Sequence, residues 1–180
     1  FYLPAYKACV DAGTTMVMTS FNVLNGVPST ANSWLMQTIL REEWGFEGVV
    51  VSDHDAVLEL LVHGIAPDEK VAAILAFQNG CDMEMATNCY LHHLKELIDE
   101  GVFTESQLDE SVLRVLELKN RLGLFEDPYH GVSVEKEESL PLCPAHRDIA
   151  RRAAEEAAVL LKNNGVLPFS ENTKRIALIG

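Results

Sequence analysis

The chain has 180 residues, 48% apolar and 23% charged, enough to bury the core of an ordinary globular domain, with no low-complexity tract or internal repeat. Its formal net charge of −13 argues against nucleic acid or an anionic membrane surface as partners and is compatible with a neutral substrate such as a sugar. The longest charge-free run, residues 12–40, is broken by Asn, Ser, Pro and Gly and cannot span a bilayer.

Residues 4–12 read as a short helix, with Pro4 in its first turn and Gly13 at its stop. Residues 14–20 come next as a strand rich in β-branched residues and Met. Asn25-Gly26 favours a hairpin turn, yet the residues after it read as helix rather than a returning strand. Leu35, Met36, Ile39 and Leu40 fall on one stripe between Ala31 and Glu43. The next strand is predicted over residues 47–52, and residues 63–67 form a loop.

A helix is expected over 68–79, with Asp68 at its start and Gly80 closing it. Residues 81–85 form a short strand. Tyr90, Leu91, Leu94, Leu97 and Ile98 mark another helix, ended by Gly101. Thr104-Glu105-Ser106-Gln107 has capping-box form and opens a helix that runs to Leu122. Such strand–helix alternation means βα units around a parallel sheet, and three strands fit either a barrel or an open sheet.

From Glu126 to Pro144 the chain turns polar and is punctuated by Pro128, Gly131, Pro141 and Pro144. This reads as an interdomain linker. An Ala-rich amphipathic helix is expected over 147–163, and residues 174–180 read as the first strand of a second α/β domain. Both ends of the sequence look cut.

The chemistry concentrates where Gly48-Val49-Val50-Val51 runs straight into Ser52-Asp53-His54-Asp55. A continuous apolar run reads as a strand buried on both faces. Buried parallel strands present their chemistry at the carboxyl end. Asp53 is therefore the leading candidate, weighed against a carboxylate that caps the next turn. Ser20, Asn22 and Asn25 lie at or beyond a strand end on the same edge, where hydroxyls and amides suit sugar hydroxyls. Asn25 equally serves a turn. Asp55 reads as a solvated loop acid, and His54 as either a sugar ligand or a loop histidine without a role. Met85 reads as core or as a wall of the site. His92 and His93 project about 100° apart on a helix, so joint metal ligation by them is not expected.

The four cysteines (Cys9, Cys81, Cys89 and Cys143) show neither C-x-x-C spacing nor a zinc-like grouping with the six histidines, which predicts free thiols.

The stretch Gly48-Val49-Val50-Val51-Ser52-Asp53-His54 resembles the nucleophile strand of family 3 glycoside hydrolases, the β-glucosidase-like enzymes. Met18-Thr19-Ser20-Phe21-Asn22-Val23-Leu24-Asn25-Gly26-Val27-Pro28 is similar to the family's preceding strand and loop. Ala31-Asn32 and Leu40-Arg41-Glu42-Glu43-Trp44-Gly45-Phe46 match the intervening helix. Gly80-Cys81-Asp82-Met83-Glu84-Met85, Gly123-Leu124-Phe125 and Leu160-Leu161-Lys162-Asn163 come after them in the family's order.

The resemblance implies an α/β fold. Residues 1–125 would be the C-terminal part of a (β/α)8 TIM-like barrel and 126–144 a linker. Residues 145–180 would hold a linking helix and the start of a second α/β domain. It further implies a retaining, exo-acting hydrolase of β-glucosides or oligosaccharides, working through a covalent glycosyl-Asp intermediate on Asp53 without cofactor or metal. Ser20, Asn22, His54 and Met85 would contact substrate. The family's acid/base glutamate and its sugar-gripping lysine and histidine lie outside this sequence, so residues 1–180 alone are expected to be inactive. His54 stands where many members carry Trp. Phe21 stands where Tyr is common, which removes a hydroxyl near the nucleophile.

Two other readings remain open from the sequence. One is a metal-dependent hydrolase on a βα-barrel, using Asp53, His54 and Asp55, although adjacent strand residues point to opposite faces. The other is a non-catalytic carbohydrate-binding relic. Sugar and linkage preference, oligomeric state and compartment (periplasmic, secreted or cytoplasmic for a soluble protein) leave no mark in the sequence.

Overall fold

The structure, a computed structural model, describes residues 1–179. The chain divides into two compact units, Phe1–His130 and Gly131–Gly180. The first is built on a three-stranded parallel sheet. Its strands are β1 (Met16–Met18), β4 (Val49–His54) and β5 (Met83–Met85), in the order β1-β4-β5. The order is that of the sequence, as expected when each parallel strand is reached by a helical crossover.

In the centre, β4 is covered on both sides. Val49 and Val50 are fully buried and Val51 nearly so, which is why this run lacks the alternation of a half-exposed strand. Its register with β1 pairs Met16 with Val49, Val17 with Val50 and Met18 with Val51. Gly48 makes the approach possible. A Cβ at that position would run into the Thr15 carbonyl and the Phe46 ring.

Helix α1 (Tyr2–Asp11) precedes β1. Between β1 and β4 lies a hairpin of β2 (Val23–Leu24) and β3 (Val27–Pro28), turned by Asn25 and Gly26 at φ 53° and 83°. Two consecutive left-handed residues define the turn that Asn-Gly favours. The expectation that no strand returns is thus corrected. The returning strand is only two residues long and passes at once into a 3-10 turn (Ser29–Ala31), which conceals it from pattern reading.

A π-helix then runs over Trp34–Glu43, burying Met36, Ile39 and Leu40 of the anticipated stripe. Asn32 Oδ1 accepts from Leu35 N–H at its start. With Val17, Val50 and Phe46, Met36 and Leu40 form one core cluster.

The second core cluster lies among α2 (Glu59–Val62), α3 (Glu69–Gln78) and α4 (Cys89–Asp99), around Leu60, Ala76, Phe77 and Leu97. Phe77 meets Tyr90 and Phe103 edge to face, with centroids 5.8 and 4.9 Å away. Asp68 caps α3 by accepting from Val71 N–H at 2.8 Å. Thr104 and Gln107 form the expected capping box of α5 (Glu105–Arg121). Ser111 is buried, because Asp82, just before β5, offers this helix a carboxylate.

The second unit contains α6 (Val134–Ser139) and α7 (Pro144–Ala157). Helix α6 falls inside the stretch expected as linker, with Ser133 capping it at Lys136 N–H. Helix α7 has Pro144 in its first turn and stops at Ala157, short of the expected end at residue 163. The expected strand over 174–180 does not form among the described residues 174–179, and Gly180 lies outside them. A strand exists only where a second backbone takes its hydrogen bonds. That leaves a mixed α/β architecture with a parallel sheet.

Candidate active site

The carboxyl ends of β1, β4 and β5 form one edge because the strands are parallel. Ser20 and Asn22 lie just beyond β1, Asp53 and His54 end β4, and Met85 ends β5. All five candidate residues therefore lie at or beyond the carboxyl ends of the strands, the edge where parallel sheets carry their chemistry.

Asp53 is half-buried, and its Oδ1 accepts from the His54 N–H at 2.7 Å. His54 turns outward, its side chain 67% exposed, with Nδ1 3.2 Å from Asp55 Oδ2. Ser20 Oγ lies 3.0 Å from Ser29 Oγ. The Asn22 side chain is exposed, while its carbonyl accepts from both Ser29 N–H and Ser29 Oγ at 2.9 Å. Asn25 serves the hairpin turn. Met85 is half-buried and paired with His54.

The edge carries unusual backbone. Asp55 and Ala86, directly after β4 and β5, both adopt positive φ (59° and 60°). For alanine this costs about 1–2 kcal/mol, and such conformations cluster at functional sites. Between Val51 and His54 on β4, two residues, Ser52 and Asp53, face one on β5, so the strand bulges at the candidate nucleophile.

Glu84 does not reach the open edge. Its Oε1 accepts from Tyr90 N–H at 2.8 Å, and its Oε2 from Thr87 Oγ at 2.6 Å and Cys89 N–H at 3.0 Å. It caps the amino end of α4. Asp82 immediately precedes β5, away from the edge, with its side chain fully buried. Its Oδ1 accepts from Ser111 Oγ (2.9 Å) and Arg114 (2.7 Å), and its Oδ2 from Arg41 (2.8 Å) and Val50 N–H (2.8 Å). Arg41 also donates to the carbonyls of Phe46 and Gly48. Burial pulls the Arg41 guanidinium below its ordinary pKa, and the Asp82 charge opposes that pull.

Sequence reasoning missed Ser52 and the Asp82 network. A serine inside a buried apolar strand was the available signal for the first. A cleft of about 480 Å³ between α1, β1, the hairpin and the π-helix touches Ser20 and Asn22 but not Asp53, and its walls are mainly apolar. Among the described residues, no three His, Cys, Asp or Glu side chains are grouped to hold a metal ion.

Residues 1–118 match the model of the glycosyl hydrolase family 3 N-terminal domain. The chain belongs to glycosyl hydrolase family 3. It is 42% identical to the periplasmic β-glucosidase of Salmonella typhimurium, over 99% of this chain and 24% of that protein. It is 36% identical to the probable exo-1,4-β-xylosidase of Aspergillus clavatus, over 100% of this chain and 24% of that one. The crystal structure of β-glucosidase from Listeria innocua superposes with a TM-score of 0.81 at 49% identity, covering 93% of this chain and 23% of that one. Structures of the Listeria enzyme in complex with glucose and, as a mutant, with laminaribiose match similarly. The chain thus spans about a quarter of the length of its family 3 relatives. Its parallel sheet is consistent with the family's N-terminal domain.

Proposed function

We propose that this chain is part of a retaining, exo-acting glycoside hydrolase that cleaves β-linked glucosides or closely related oligosaccharides, with Asp53 as its nucleophile. The observation that carries the reading is the position of Asp53: half-buried, at the carboxyl end of the central parallel strand, in a family 3 chain. Its Oδ1 accepts from the His54 N–H, which fixes the orientation of the carboxylate at the strand end.

In the first step a carboxylate oxygen of Asp53 bonds to the anomeric carbon as the glycosidic C–O bond breaks. A general acid elsewhere in the full-length protein protonates the departing oxygen. In the second step water attacks the same carbon, its proton passes to the residue that served as acid, and the bond to Asp53 breaks. Two inversions retain configuration. Ser20, Asn22 and His54 offer hydrogen-bonding groups to sugar hydroxyls, and Met85 an apolar wall. The same reading takes 1–125 as the C-terminal part of a TIM-like barrel, 126–144 as a linker and 145–180 as the start of a second domain. Residues 1–180 alone then lack turnover, because the acid/base lies outside them.

Asp53→Asn in the full-length protein tests this. The amide keeps the size of the side chain and removes the charge, so the fold survives and nearly all turnover is lost. A slow-turnover fluorinated glycoside should attach its sugar to Asp53, as located by mass spectrometry. Attachment to Asp55 or Glu84, or a product of inverted configuration, would overturn the assignment.

A further inference from the structure

In a parallel pair, a residue opposite position i ordinarily donates its N–H to the carbonyl of i−1 and accepts from the N–H of i+1. Met85 stands opposite His54. Its carbonyl obeys the rule, accepting from Asp55 N–H at 3.0 Å. Its N–H has a side-chain partner as well. It donates to Ser52 Oγ at 2.8 Å, and the Ser52 hydroxyl donates in turn to the Asp53 carbonyl at 2.9 Å. One serine hydroxyl thus links the two strand ends beside the pairing of Met85 with His54.

The bridge lies at the bulge, where Ser52 and Asp53 together face one residue of β5. Ser52 is wholly buried, so it does not reach substrate. Without the hydroxyl, the link between the Met85 N–H and the Asp53 carbonyl is lost. That frees Asp53 to shift relative to Met85.

We propose that Ser52 is a positioning residue, which sets the distance and orientation of the Asp53 carboxylate against the Met85 wall by bridging the two strand ends. The proposal rests on the reading of Asp53 as nucleophile. It adds a specific cause for that carboxylate's geometry, in which both ends of one serine hydroxyl are committed.

The test uses Ser52→Ala and Ser52→Cys in the full-length protein, the second keeping a side chain of similar shape with a poor donor and acceptor. Displacing an attacking group by an ångström costs up to about 100-fold in rate. Both variants should therefore lower kcat, and the rate of labelling by the fluorinated glycoside, by about 10- to 100-fold. KM should change little, and the label should stay on Asp53. Circular dichroism and thermal midpoints should remain those of a folded protein. Wild-type labelling rates in either folded variant would overturn the proposal. So would a loss of activity that only accompanies a loss of folded protein in both. Labelling of a residue other than Asp53 in the unmutated protein would instead sink the nucleophile assignment.

Discussion

Asp82 and Val50 are joined twice. The Asp82 N–H donates to the Val50 carbonyl, and the Val50 N–H donates to Asp82 Oδ2, each at 2.8 Å. A side-chain oxygen here acts as part of the sheet ladder, on the same strand that carries Asp53. The same carboxylate holds Arg41 from the π-helix and Arg114 from α5, so a single buried charge ties two helices to the central strand.

Removing it should be costly. Asp82→Ala leaves Arg41, only 13% exposed, without its counter-charge, and breaking a buried pair in this way costs about 3–5 kcal/mol. The denaturation midpoint of the full-length protein should fall accordingly in urea or on heating. A loss below about 1 kcal/mol, the scale of an exposed ion pair, would show that the network is not structural.

Glu84 is expected to matter for folding and not for proton transfer. All three of its partners belong to the first turn of α4 or the loop before it, where a negative charge also meets the positive end of the helix. Glu84→Ala should destabilise by about 1–2 kcal/mol, as loss of a helix cap does. Turnover measured well below the melting transition should be largely kept. A drop of about 10²–10⁴-fold, typical of a lost general acid, would contradict the capping role.

Alkaline stability should depend on Cys81. Burial, reinforced by the nearby charges of Asp82 and Glu84, pushes its thiol up from 9.0 to about 12. The folded state therefore keeps a proton that the unfolded state releases near its ordinary value. The contribution is complete below pH 9 and is lost as pH rises toward 12. Thermal midpoints should decline across that window, and Cys81→Ser should make the decline shallower. Alkylation of the native protein at pH 8 should spare the buried Cys81. Rapid alkylation of Cys81, or an unchanged slope in the variant, would contradict this account.

What the sequence determined by itself was local. The apolar run before Asp53, the helix periods, and the caps at Asp68 and Thr104 all depend on residues a few positions apart. These placed the buried central strand, and with it the edge on which Ser20, Asn22, Asp53, His54 and Met85 lie. Tertiary structure decided what each polar group does there. Ser52 finds its donor 33 residues away, and Asp82 its partners as far as 41. Neither bond can be assigned before the strand register is known. For the same reason α5 turns Ser111 and Arg114 toward Asp82, 29 and 32 residues away. Glu84, by contrast, finds its capping partners three to six residues further along the chain. A buried polar atom must find a partner wherever the fold places one, and that placement is a property of the sheet rather than of the neighbouring residues.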